Sequence, residues 1–322
     1  MTLIGNDMGQ LTIRTDSLPV AAADRLQAWA VEARAALADS TQRAYAADSR
    51  AFADWCMAQG LATLPASPAT VAAFLRAEAE AGKAVATIRR RASTISRMHK
   101  AAGLTSPCGD ELVRLALKGI SKARGTDQRQ AEALTGRDAD TIRAHLGDSE
   151  RDLRDLALML VGRDLLARAS ELVAITAEDI EQAEDGALVS VRRRKTSTEA
   201  RPYFIGAEAA NALQAWLERA AIATGPVFRS LTSGGRVTER AISTRDVRRI
   251  LKARASKARL SHAEGVSGHS LRVGMAQDLV AADLDVASVM QAGGWSTPRM
   301  VARYSERITA RRGAVARYYG RG

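Results

Sequence analysis

Between residues 21 and 123 the apolar side chains recur at helical spacing throughout: Leu26 with Trp29, Tyr45 with Phe52 and Trp55, Val71 with Phe74 and Leu75, Ile88 with Ile95, and Leu112 with Leu115 and Leu117. A period near 3.6 puts each set on one face of a helix, and no alternating strand pattern interrupts them. Pro65, Pro68, Gly82, Gly103 and Pro107 fall between the sets and mark the turns. The stretch is therefore predicted to be a small all-α bundle. Residues 1–20 mix polar and apolar types without a period and read as a flexible arm. The polar run KGISKARGTDQRQ, residues 118–130, has little to bury, and the domain boundary is set at a linker over 124–131.

Residues 132–322 predict a second, mostly helical domain. Helical stripes cover roughly 139–146 and 153–166. Residues 187–193 and 202–206 alternate instead, with Val189 and Val191 on one face and Ser190 and Arg192 on the other. They are the only convincing strand pair, joined at a hairpin tip through Lys195-Thr196-Ser197-Thr198. Ser243 or Thr244 caps a further helix to about residue 259, with Val247, Ile250, Leu251 and Ala255 inward. The fold class is mainly α: an all-α N-terminal bundle followed by a mostly helical domain carrying a small β-hairpin.

Length and charge narrow the partner. A chain of 322 residues is long enough for two cores, and its formal net charge of +11 favours a polyanion. The positive charge is clustered. Lys83, Arg89, Arg90, Arg91, Arg97 and Lys100 share the fourth helical stretch with no acid among them, as suits a surface laid along phosphates. Lys83, Arg89, Arg90 and, from an earlier helix, Arg43 are candidate DNA contacts. Between residues 240 and 259 stand eight Lys or Arg and one acid, Asp246. Arg245, near the start of that helix, is the candidate for a base edge, because a guanidinium pairs bidentately with guanine. Arg248, Arg249, Lys252 and the remaining basic residues there are expected to hold phosphates.

Other classes are disfavoured. The longest strongly apolar run, residues 156–161, is far too short to cross a bilayer, and no basic-then-apolar leader opens the chain. A cytoplasmic, nucleoid-associated protein without membrane contact is expected. Cys56 and Cys108 have no cysteine or histidine at ligand spacing, so neither a disulfide nor a metal site is expected. With no glycine-rich phosphate loop either, the expected cofactor set is none.

Chemistry concentrates in residues 267–304, SGHSLRVGMAQDLVAADLDVASVMQAGGWSTPRMVARY. His269 and Arg272 stand three apart on a helix that also carries Leu271, Met275 and Leu279. The loop at Asp283 to Asp285 ends it, a short helix with Val286, Val289 and Met290 stops at Gly293-Gly294, and Trp295 follows on a turn. Thr297-Pro298 is the expected start of a third helix, which carries Tyr304. A phenol nucleophile beside an imidazole, a guanidinium and an indole N–H suits one target, a phosphodiester whose oxygens the neighbours hold. Alone, Tyr304 also fits a core tyrosine beside Met300 and Val301. Arg168 and Glu171, also three apart, alone fit an ordinary helix-surface pair.

The order Arg168-x-x-Glu171-Leu172, then His269-x-x-Arg272, Trp295 and Tyr304, resembles the two motif boxes of the tyrosine recombinases, the phage integrase family. Most members have a second histidine where this chain has Trp295; Cre-like members have tryptophan. The first domain resembles the family more weakly, through its helix pattern and AVATI at 84–88. The resemblance implies a core-binding domain that clamps DNA, with Arg168 and Arg272 as phosphate clamps and Glu171 fixing the geometry of Arg168. His269 would assist proton transfer, and Lys195 would protonate the leaving 5′ oxygen. Arg192, Arg193 and Arg194 would lower the pKa of Lys195 by like-charge repulsion. Tyr304 would form a 3′-phosphotyrosyl link. The implied partner is double-stranded DNA with inverted-repeat sites, bound by a dimer at each site and a tetramer in synapsis. The tail helix bearing Ile308, Val315 and Tyr318 would join the subunits, or else fold back on its own domain. Two other readings stay open at this stage. One is a type IB topoisomerase using similar residues; the other is a non-enzymatic DNA binder in which residues 271–291 form a helix-turn-helix.

Overall fold

A computed structural model of the chain describes residues 20–125, 130–191, 200–311 and 318–320. Among these residues it is mainly helical, with two small antiparallel sheets, and forms two compact units that divide between Arg129 and Gln130. The expected arm at 1–20 lies outside the described residues save for Val20, and so do positions 126–129 of the expected linker.

The first unit is built of α1 (Val20–Ala36), α2 (Asp39–Ala58), α3 (Pro68–Glu80), α4 (Val85–Ala101) and α5 (Glu111–Arg124). Phe52, Val71, Phe74, Leu75, Ile88 and Ile95 meet in one buried cluster, with the Phe52 and Phe74 rings 5.0 Å apart. Ser67 starts α3 by accepting from the Thr70 N–H, with Pro68 in the first turn. His99 ties α4 to the chain before α3: its Nε2 accepts from the Ala66 N–H while Nδ1 faces the Ile95 carbonyl. On α5 the expected stripe is two-thirds wrong. Leu117 packs against the core, but Leu112 and Leu115 are exposed, and Val113, Ala116 and Ile120 face the core. Both sets satisfy the helical period, so the sequence offered two faces and packing against α3 selected the less bulky one.

The second unit runs α6 (Gly136–Arg143), α7 (Glu150–Asp164), α8 (Ala169–Leu172), β1 (Ile180–Ala183), β2 (Gly186–Val191), β3 (Arg201–Gly206), α9 (Ala207–Arg219), β4 (Arg229–Leu231), β5 (Val237–Ala241), α10 (Thr244–Lys257), α11 (Ser270–Ala281), α12 (Val286–Gly293) and α13 (Pro298–Arg311). The hairpin β2–β3 pairs Val189 with Tyr203. It is not the only strand pair: β1 adds to β2, placing Ile180 opposite Val189, and β4 pairs with β5. These strands were not legible because β1 reads IEQA with three exposed residues, and β4 has three residues in all. Central to the core is α7, on which residues 157–161 are all buried. It also anchors the basic helix. Arg254 turns inward rather than toward phosphates, bonding Asp155 Oδ2 through Nε at 2.7 Å and pairing with Asp152 at 2.7 Å; Arg154 bonds the other oxygen of Asp155. An acid on a neighbouring helix, invisible to a reading of α10 alone, reassigns this cation. Among the described residues no helix is long and apolar enough to cross a membrane.

Candidate active site

The site begins where α7 ends. Its last turn closes with Leu166 N–H on the Arg163 carbonyl and Ala167 N–H on the Gly162 carbonyl, a turn that requires a left-handed residue at Leu166, φ 45°. Glycine normally takes that place, because a Cβ there costs about 1 kcal/mol or more. Leucine is retained, and its side chain is buried with Val289, Trp295 and Val301. The turn starts α8 at Arg168, which precedes the helix instead of lying within it. Glu171 then makes two bonds to one residue: Oε2 accepts from the Arg168 backbone N–H at 2.8 Å and Oε1 from Nη1 at 2.5 Å. The Glu171 side chain is 6% exposed and that of Arg168 39%, so a buried carboxylate aims a solvent-facing guanidinium.

Arg272 is held differently. On the first turn of α11 and 2% exposed, it donates Nη1 to the Leu166 carbonyl at 2.5 Å and Nη2 to the Gly293 carbonyl at 2.6 Å. Both acceptors come from the ends of helices, α7 and α12, where carbonyls lack intrahelical partners and favour a cation. Gly294, φ 63°, ends α12 and lets the Trp295 N–H bond the Met290 carbonyl. That folds the indole back over Gly293, where an added Cβ would lie 2.3 Å from the ring. The Arg272 guanidinium consequently stacks on Trp295 at 4.4 Å, and the Tyr304 ring lies 5.7 Å from the Trp295 ring, tilted against it. Trp295 is buried.

His269 is the N-cap of α11, and Gly268 before it packs against the Ala169 methyl of α8, bringing the imidazole toward Arg168. Partial burial, then the positive charges of Arg272 and Arg168, hold its pKa below the ordinary histidine value, with Glu171 opposing them. Each of these effects except that of Glu171 favours the neutral imidazole, the form able to accept a proton. Tyr304, on α13, is half-buried beside Val301 and Trp295. Arg168, Glu171, His269, Arg272, Trp295 and Tyr304 thus gather from α8, α11, α13 and the turn after α12. Lys195 lies outside the described residues, as do Arg192 to Arg194.

The candidate DNA contacts separate into two kinds. Arg245 and Arg248 project from α10 into solvent, whereas Arg249 pairs with Asp246 and Lys252 with Glu264. In the first unit Lys83, Arg43 and Arg89 are exposed, Arg89 bonding Ser121. Arg90 is bound bidentately by the buried Asp48, and Arg91 pairs with Glu78, so α4 is less one-signed than its own sequence suggests. Sequence reasoning missed the two helix-end carbonyls, since a backbone acceptor has no residue signature. It also missed Gln277, whose Nε2 donates to the Tyr304 carbonyl at 3.0 Å.

Comparison with known proteins gives the family. Residues 132–311 match the family model described as "Phage integrase family", and residues 22–103 match "Phage integrase, N-terminal SAM-like domain". An integrase/recombinase xerD homolog of Selenomonas ruminantium is 35% identical over 84% of this chain and 82% of its own length. Recombinase cre of Escherichia phage P1 is 27% identical over 88% of this chain and 89% of its own. Among solved structures, the site-specific recombinase XerH, bound to a palindromic difH substrate, superposes with TM-score 0.65 at 15% identity, covering 90% of this chain and 84% of that one. The chain belongs to the phage integrase family, the tyrosine recombinases, enzymes that cleave and rejoin DNA strands in site-specific recombination.

Proposed function

We propose that this protein recombines DNA between short inverted-repeat sites through a covalent 3′-phosphotyrosyl intermediate on Tyr304. The observation that carries the reading is the convergence of Arg272 and Tyr304 on the Trp295 ring, with Arg168 and His269 on the neighbouring helix starts. In-line attack by the phenol oxygen forms an O–P bond, breaks the bond to the 5′ oxygen and builds negative charge on the non-bridging oxygens. Arg168 and Arg272 hold that charge, neutral His269 receives the Tyr304 proton, and Lys195 gives one to the leaving 5′ oxygen, which departs as a hydroxyl. Trp295 donates a hydrogen bond but accepts no proton, so it contributes less than the arginines. Because phosphate stays esterified to Tyr304, a 5′ hydroxyl from another strand reseals the backbone without an external energy source.

The first unit clamps the duplex through Lys83, Arg43 and Arg89, while Arg245 reads a base edge and Arg248 holds phosphates. The palindromic substrate of XerH supports paired subunits on inverted repeats. In synapsis two such pairs form a tetramer through the C-terminal tail helix, of which residues 312–317 lie outside the described residues. The test is strand exchange. Two differently labelled duplexes carrying candidate repeats from the element that encodes the protein should yield recombinant products without metal or ATP. Relaxation of supercoiled plasmid with no exchange would make it a topoisomerase-like enzyme instead.

A further inference from the structure

Gln277 belongs to neither motif box, yet it is bonded to the residue that carries the phenol, Nε2 to the Tyr304 carbonyl at 3.0 Å. Its own helix is firmly seated. One residue on, Asp278 Oδ2 accepts from Arg163 Nη2 and from the Gly136 N–H, each at 2.7 Å. Three residues before, Gly274 approaches the Leu134 carbonyl so closely that a Cβ would lie 1.8 Å from the oxygen. Helix α11 is thereby pinned to the start of α6 and to α7, and it carries Arg272. Helix α13 rests against this platform chiefly through Met275, Leu279, Val289, Met300 and Val301. Such apolar contacts resist separation but are non-directional, so they set poorly how far one helix slides or turns against another. A hydrogen bond to a carbonyl is directional and tolerates only a few tenths of an ångström.

We propose that Gln277 is a positioning residue that sets the register of the nucleophile helix against Arg272. The inference rests on Tyr304 being the nucleophile. A slip of α13 by one residue moves Tyr304 by about 1.5 Å along the helix axis and turns it by about 100°. A misplacement of about 1 Å is enough to cost roughly 10² in rate.

The test compares Gln277→Met, which keeps length and loses the donor, with Gln277→Lys, which keeps a donor. Single-turnover formation of the covalent adduct on saturating nicked duplex is measured beside DNA affinity and Tm, with Tyr304→Phe as control. Gln277→Met should slow adduct formation by about 10- to 100-fold while affinity and Tm stay at the wild-type values, and Gln277→Lys should recover most of the rate. A wild-type rate in Gln277→Met overturns the proposal, as does a loss of rate matched in both variants by a fall in Tm. Adduct formation by Tyr304→Phe would remove the underlying reading of the nucleophile instead.

Discussion

Arg168→Ala is expected to slow strand cleavage at saturating DNA by about 10²–10³, the usual effect of removing one preorganised donor from developing oxyanion charge. Arg168 gives a cleaner test than Arg272. Its side chain is 39% exposed and its backbone N–H, which the substitution retains, still bonds Glu171. Arg272 is buried, bonds two helix ends and stacks on Trp295, so its removal would disturb packing as well as charge. Arg168→Lys should recover only part of the loss, because an ammonium lacks the planar fork that holds two oxygens at once. Single-turnover cleavage of a nicked duplex reads both variants. A rate within about threefold of wild type in Arg168→Ala would mean that the guanidinium does not hold the reacting phosphate.

The second large effect concerns stability. Asp155→Ala should destabilise the second unit by about 3–5 kcal/mol, since it strips buried Arg154 of its carboxylate and leaves buried Arg254 with Asp152 alone. At roughly 2–4 °C per kcal/mol for a domain of this size, the fall in Tm is about 6–20 °C. Arg249→Ala breaks a pair of similar geometry, but with the arginine side chain 78% exposed it should change stability by about 0.5 kcal/mol or less. Equal Tm values for the two variants would refute the difference drawn from burial.

Those two salt bridges also show what the sequence can and cannot disclose. The helical class, the β2–β3 hairpin and the cap at Ser243 were legible because periodicity and capping are local. The constellation from Arg168 to Tyr304 was legible because its residues resemble a known family order, although Arg168 and Glu171 alone looked like any surface pair. Non-local partners were not legible. Asp155 claims Arg254 across α7 and α10, Asp48 claims Arg90 across α2 and α4, and the outward face of α5 was fixed by what packs against it. Within the site, the seating of Arg272 depends on the Leu166 and Gly293 carbonyls, which are created by two helix ends rather than by residue type.

The most direct measurement is covalent trapping. Wild-type protein and Tyr304→Phe are incubated, without metal or ATP, with nicked duplex carrying the candidate repeats and then denatured. A denaturant-resistant protein–DNA adduct from the wild type and none from Tyr304→Phe is the predicted result. Tight binding to the duplex with no adduct from the wild type, or an adduct that persists in Tyr304→Phe, would contradict Tyr304 as the nucleophile.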